Sequence, residues 1–464
     1  MMEQRERKND FSKGAMWRVI LRMAIPMMLA QLVNVLYSVV DRMYIGHMEG
    51  TGSLALTGLG LCMPIVSVVA AFAGLCGVGG GPLCSIARGR GDFDYAEQVM
   101  GNALTLLLSI GVALTAGLLL LMRPMLFAVG ASDVTYPFAA EYARVYIIGT
   151  VFVLLSHGMN YFINAQGFAR TGMLTVAIGA AMNIVLDPLF IFAFGMGITG
   201  AAVATVISQA VSAAWAMRFL LSRKAILELK LKNMRLRWGI VQRILALGAT
   251  GFVMSITNAT VQIAYNVQLR LYGGDLYVGA MTVINSVREV FFMVNSGLRD
   301  GAQPVLGYNY GAGLHGRVKQ GIRFLTGFSF CYAAAVWLLM MVFPGAVVRI
   351  FNSEAELIVV TTPALRVYFC GFIFMSMMMA GQGVFLSLGK SKYSMTFSIL
   401  RKVVIVLPLI FLLPRIGGWG VMGVFWSEPI SDLLGGGACF ITMYFTVYRV
   451  LGNDPIEKGG AAAE

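Results

Sequence analysis

Charge is what this 464-residue chain has least of: 12% of it is Asp, Glu, Lys or Arg, with 22 acids and three histidines. A water-facing surface needs about a quarter of its residues charged, so an ordinary soluble protein of this length is excluded. Hydrophobic residues make up 58% and the mean hydropathy is +0.77, so most of the surface faces lipid. The six cysteines (Cys62, Cys76, Cys84, Cys331, Cys370, Cys439) sit in or beside apolar stretches with no C-x-x-C pair. They read as small hydrophobes rather than a disulfide or metal framework.

Catalytic and nucleotide signatures are missing too. Gly383-x5-Gly389-Lys390-Ser391 has one residue too many for a phosphate-binding loop, and Gly77-x-Gly79-Gly80-Gly81 runs into Pro82 with no strand before it. His47, His157 and His315 form no H-E-x-x-H motif. An enzyme or an ATP-driven pump is therefore unsupported, and no cofactor is expected beyond a coupling ion, H+ or Na+. The polar opening MMEQRERKNDFSKG precedes an apolar run too long for a signal-peptide core, so no cleavage is expected.

A helix needs about 20 mostly apolar residues to cross a bilayer. That ruler predicts spans at 16–46, 53–82, 97–122, 135–164, 172–195, 198–221, 240–271, 277–307, 318–343, 358–388, 393–413 and 419–448. Twelve spans with short loops leave no soluble domain. Lysine and arginine cluster on alternate sides: Arg5, Arg7, Lys8, Lys13 and Arg18 at the start, Arg88 and Arg90 after the second span, Arg170 after the fourth. Six more lie within Ser222–Trp238, followed by Arg317 and Lys319, Lys390 and Lys392, and Arg449. Positive-inside retention places both termini and the central stretch in the cytoplasm. This asymmetry accounts for most of the +13 net charge without nucleic acid.

The chain also repeats itself. Gly79-x-x-Pro82-x6-Gly89-x-Gly91 returns as Gly301-x-x-Pro304-x6-Gly311-x-Gly313, and Arg144-Val145-Tyr146-x-x-Gly149 returns as Arg366-Val367-Tyr368-x-x-Gly371. Pro188 matches Pro408, and Gly197-x-x-Gly200 matches Gly417-x-x-Gly420. Each half has six spans, an even number, so the halves have parallel topology. The expected fold is an all-α integral membrane protein. Two six-helix bundles are related by a pseudo-twofold along the membrane normal, with a shared cavity suited to alternating access. The expected divisions are an N-terminal bundle at 1–221, a basic cytoplasmic linker at 222–239, a C-terminal bundle at 240–450 and a short polar tail at 451–464.

Ionisable groups inside the membrane are costly and are functional candidates by default. Gln31, Asn34, Tyr37 and Asp41 fall on one face of the first span, and Asn183 and Asp187 lie one turn apart on the fifth. Thr205 and Gln209 pair similarly on the sixth, and Tyr142, Ser156 and Asn160 line the fourth. Aligned on the repeat, Asp41 falls on Asn266 and Asp187 on Leu407. A purely structural acid would be needed in both halves, so this asymmetry favours ion coupling in the first half. For Asp41 the alternative is a helix-end salt bridge with Arg42. A desolvated acid beside a second acid takes up a proton near neutral pH. Asn183 and Thr205 equally complete an oxygen shell for Na+ with the two acids. Proton and sodium both stay open.

The second half is polar in another way. Ser255, Asn258, Gln262 and Asn266 form a neutral stripe on the seventh span, and Arg288, Glu289 and Arg299 recur on the eighth. Glu428 and Asp432 share a face of the last span. These serve either as structural ion pairs or as substrate contacts. Of 30 methionines, the tenth-span group around Met378, with Gln382, is the best candidate for an adaptable wall.

These segments carry a family resemblance. IPMMLAQLVNVLYSVVDRMYIG, GVGGGPLCSIARGRGD, NIVLDPLFIF, GITGAAVATVISQ and GAQPVLGYNYGAG together resemble the multidrug and toxic compound extrusion (MATE) family over essentially the whole chain, most closely its prokaryotic DinF-like branch. The resemblance implies a monomeric antiporter in a bacterial or archaeal cytoplasmic (inner) membrane. It would export amphipathic, mostly cationic small molecules in exchange for H+ or Na+. It carries ion coupling onto Asp41, Asn183, Asp187 and Thr205, with Tyr142 and Asn160 nearby, and a helix bend onto Pro26. Acids that other branches carry in the seventh and tenth spans are absent here. A lipid-linked oligosaccharide or peptidoglycan-precursor flippase of the same superfamily is the alternative, and it would be expected to show several cavity arginines where this chain offers chiefly Arg288 and Arg299.

Overall fold

The computed structural model describes residues 9–48, 51–351 and 354–452. Arg5, Arg7 and Lys8 of the basic N-terminus and most of the 451–464 tail lie outside them. Among the described residues every regular element is helical.

The first three spans are Met16–Gly46, Gly52–Gly89 and Phe93–Ala128, and the fourth joins Tyr136–Ile148 to Thr150–Ala165 at a 56° bend. Ala169–Ala193 and Gly197–Leu220 complete the first series. Trp238–Gly311 carries the seventh and eighth spans as 74 residues broken at Gly274, whose φ of 71° and ψ of −170° suit only glycine. His315–Val342 follows, then Ala355–Phe369 joined to Phe372–Ser387 at 47°, then Ser391–Arg415 and Gly420–Tyr448. Counting each bent pair once and the broken helix twice gives the twelve spans expected.

The second and third spans run longer than expected. Gly79, Gly80, Gly81 and Pro82, read as the end of the second span, lie inside the helix, which continues to Gly89. Those glycines serve packing rather than termination. A β-carbon on Gly79 would stand 2.0 Å from the Ile244 carbonyl oxygen, and one on Gly248 1.8 Å from that of Leu75. Lipid tails are as apolar as leucine, so small residues that let backbones approach closely drive association in a membrane.

The chain divides into two compact units. One runs over Ile25–Phe252, and the other combines Phe11–Ala24 with the chain from Val253 onward. The opening turns of the first span therefore belong to the second unit, and those of the seventh span to the first. Repeated glycines do matching work. Gly79 receives the start of the seventh span, and Gly301, its counterpart, would place a β-carbon 2.4 Å from Ala24 of the first. At the two bends, Gly149 packs on Val206 of the sixth span and Gly371 on Pro429 of the twelfth, at 2.4 and 2.6 Å from a β-carbon.

One repeat pairing shifts. Gly200 packs against Phe190 and Gly423 against Leu413, where a β-carbon on either would stand 2.7 Å from the backbone carbonyl carbon. Gly197-x-x-Gly200 therefore corresponds to Gly420-x-x-Gly423 rather than to Gly417-x-x-Gly420.

Between the two series, residues 222–237 fold onto the first unit. Buried Glu97 accepts from the Glu228 backbone N–H at 3.0 Å and from Lys230 Nζ at 2.8 Å. Gln166 Oε1 accepts from the N–H groups of Ile226 and Leu227 at 2.8 and 3.0 Å. Asn102 Oδ1 accepts from Arg237 N–H at 2.7 Å. Irregular backbone has no partners of its own, so these side chains satisfy it.

Candidate functional site

In the first unit, α-helical geometry sets Tyr37 and Asp41 one turn apart on the first span, and Asn183 and Asp187 likewise on the fifth. Pro188 follows Asp187 and has no N–H to give, and the helix continues as a wide π turn over Leu189–Ala193. Asn183 Nδ2 donates to Asp187 Oδ1 at 3.1 Å and to Thr205 Oγ1 at 3.4 Å. Tyr142 lies beside Thr205, and Tyr37 faces both acids. The Asp41 and Asp187 carboxyl groups lie within hydrogen-bonding distance of each other.

Asp187 is fully buried and Asp41 is 9% exposed. Among the described residues neither makes an ion pair; Arg42 points outward, so the alternative of a salt bridge to Asp41 is not formed. Asp41 Oδ1, Asp187 Oδ2 and Asn183 Oδ1 are all buried without a donor. Like charges about 4 Å apart repel by about 4 kcal/mol at an effective dielectric of about 20. The pair therefore calls for a proton or a cation. Among the described residues no three His, Cys, Asp or Glu side chains converge on a metal position, but the orphaned amide and carboxyl oxygens are the hard donors that Na+ takes.

The remaining first-half candidates lie apart. Asn160 donates to the Gly172 carbonyl at 3.2 Å, and Ser156 donates to Gln209 Oε1 at 2.6 Å. Gln31 and Asn34 are half-buried on the first span, and Pro26 is buried within it.

The second unit holds a different assembly. Arg401 and Lys402, which sequence reasoning missed, lie buried in a π turn of the eleventh span. Arg401 Nη1 donates to Glu428 Oε1 at 3.0 Å and also to Asp432 Oδ1, while Lys402 Nζ donates to Glu428 Oε1 at 3.0 Å. Tyr265 donates to Glu428 Oε2 at 3.2 Å and meets Ser427 Oγ at 2.6 Å. Gly435 leaves room for the Arg401 stem, whose Cγ would stand 2.8 Å from a β-carbon there. The signal was present in the sequence: two adjacent cations in the middle of an apolar span break the same rule that singled out Asp187.

A small open cleft of about 20 Å³ lies beside this network, lined by Asn258, Gln262, Arg288, Tyr368, Lys402 and Glu428. Asn266 is exposed and accepts from Gln262 at 3.2 Å. Glu289 is exposed and is not among the lining residues, since adjacent helical residues diverge. Met378 and Gln382 are buried, and the Gln382 amide donates to Ser398 Oγ at 2.8 Å, which places it in helix packing rather than on the cleft.

A family model described as MatE matches residues 26–189 and, a second time, residues 250–412. The multidrug export protein MepA of Staphylococcus haemolyticus (strain JCSC1435) is 25% identical over 458 residues, 97% of each chain. MepA of Staphylococcus aureus (strain MSSA476) is 23% identical over 442 residues, 94% of this chain and 95% of that one. Among solved structures, the outward-facing conformation of a multidrug resistance MATE family transporter of the MOP superfamily aligns with a TM-score of 0.89 at 23% identity, over 96% of this chain and 99% of that one. A MATE in the bent conformation aligns with a TM-score of 0.89 at 24% identity, over 94% and 96%. Two matches to one model, one in each repeat and together covering most of a chain of twelve spans, mean that the protein belongs to the MatE family of membrane transporters.

Proposed function

We propose that this protein is a secondary antiporter of the cytoplasmic membrane that exports small amphipathic, mostly cationic compounds in exchange for protons. The observation that carries this reading is the buried contact between Asp41 and Asp187, with Asp41 Oδ1 and Asp187 Oδ2 left without donors. Two buried carboxylates this close repel each other, and a proton held between them relieves the pair. A site that exchanges this proton with one side of the membrane when drug occupies the protein, and with the other side when it is empty, links the two fluxes. A membrane potential contributes about 2.3 kcal/mol per charge per 100 mV to such an exchange.

On this reading Tyr37, Asn183 and Thr205 orient the acids, Tyr142 flanks Thr205, and Pro26 permits the first span to bend between alternating-access states. The positive-inside pattern supports cytoplasmic termini. A sodium-coupled version draws support from the third orphaned oxygen, Asn183 Oδ1, since Na+ would take three such atoms at once. Uptake of a fluorescent cation into proteoliposomes tests both versions. A pH gradient and a sodium gradient are imposed separately, on wild type and on Asp41→Asn. Flux that follows the pH gradient and disappears in the variant is expected. Flux that follows only sodium selects the second version, and no flux under either gradient sinks the proposal and favours a lipid flippase.

A further inference from the structure

The charges of the second unit do not cancel. Among the described residues, the buried cluster sets Arg288, Arg401 and Lys402 against Glu428 and Asp432, leaving one positive charge in excess within the membrane-spanning part. Burying an uncompensated charge is costly, so a surplus of this kind calls for a partner.

Hydrogen bonding identifies where the surplus lies. Arg401 is held by both acids, and Lys402 by Glu428. Glu428 already takes three donors, two on Oε1 and the Tyr265 hydroxyl on Oε2, none of them from Arg288. Arg288 is half-buried on the cleft wall and makes no ion pair among the described residues. Around it in the cleft stand the Tyr368 hydroxyl and the Asn258 amide, both of which can donate. A guanidinium with flanking donors matches a planar carboxylate, which it binds through two parallel N–H bonds. One surplus charge neutralises one negative charge, so the balance suits a monoanion and not a pyrophosphate. The cleft is small and open, so it receives the acidic group while the rest of the amphiphile stays outside it.

We propose that this cleft is an anion subsite in which Arg288 pairs with the carboxylate of a zwitterionic or anionic amphiphile, extending the exported compounds beyond simple cations. The assignment rests on the export function proposed above. It also separates two chemistries within one protein: the first unit takes up the coupling ion, and the second recognises negative charge on the cargo.

Full-length protein purified in detergent tests this with two fluorescent rhodamines, one with a free carboxylate and the other its methyl ester. Fluorescence polarisation gives both affinities. Wild type is expected to bind the acid about tenfold more tightly than the ester, the worth of one charged hydrogen-bonding contact. The ratio falls to about one in Arg288→Gln and persists in Arg288→Lys, which keeps the charge. Equal binding of acid and ester by wild type, or an unchanged ratio in Arg288→Gln, overturns the subsite while leaving export intact. Wild type that binds neither dye overturns the export reading and this one together. Displacement of the acid by benzoate supports a carboxylate site. Displacement by short-chain phosphatidylglycerol and not by benzoate assigns the cleft to a lipid phosphate and overturns the cargo role.

Discussion

The two units share a scaffold and carry opposite intramembrane charge. The first buries Asp41 and Asp187 with no cation paired to either among the described residues; the second buries Arg401 and Lys402 with Glu428 and Asp432, and lines its cleft with Arg288. The matched elements show where the divergence occurred. With Gly200 set on Gly423, Thr205 corresponds to Glu428 and Gln209 to Asp432. Any offset from 220 to 223 puts an apolar residue or proline (Leu407, Pro408, Leu409 or Ile410) opposite Asp187. Packing glycines and paired tyrosines, Tyr146 and Tyr368, persist in both units, while the charged residues were exchanged. Duplication preserved what helix association needs and freed the polar positions for separate chemistry.

The sharpest way to break this comparison is to remove the acids. Asp41→Asn and Asp187→Asn keep hydrogen-bonding capacity and lose the ionisable group. Each is expected to reduce gradient-driven export to the background of empty proteoliposomes while the protein still elutes at the wild-type position. Normal export in both variants would show the first unit's acids to be structural.

Next in size is the second unit's ion network. Arg401→Ala leaves Glu428 and Asp432 buried without their shared donor, a loss of about 3–5 kcal/mol. It should appear as a sharply lowered unfolding temperature in detergent. An unchanged temperature would mean that the network is not holding the unit together.

Matched glycines test the shared scaffold. Gly79→Ala and Gly301→Ala each push a β-carbon into backbone, at 2.0 Å from Ile244 and 2.4 Å from Ala24. Both should destabilise by about 1–3 kcal/mol, and a large effect in one with none in the other would contradict equivalence of the two positions. The smallest effect is expected at the linker. Glu97→Gln keeps an acceptor for the Glu228 N–H but loses the half-exposed pair with Lys230. About 1 kcal/mol is expected, read as faster tryptic cleavage within residues 222–237.

Much of this architecture was legible in the sequence because a lipid environment enforces long apolar runs, and their lengths gave all twelve spans. The repeat was legible because close helix packing admits glycine at few places. The run from Gly79 to Pro82 misled on where the second span ends, since glycine and proline look alike whether they stop a helix or let another helix approach. The first-unit acids stood out as isolated charges in apolar sequence. Arg401 and Lys402 stand out equally, as two adjacent cations inside an apolar span. Glu97, Asn102 and Gln166 were illegible as the linker's supports, because their partners lie 60 or more residues away.

The central claim is that Asp41 and Asp187 exchange a proton against drug. Proton release on drug binding tests it most directly, measured with a pH electrode in weakly buffered, sodium-free detergent solution. Wild type is predicted to release protons in proportion to bound drug, and Asp41→Asn to bind drug without release. Drug binding to wild type with no proton release, or equal release from the variant, would contradict the account.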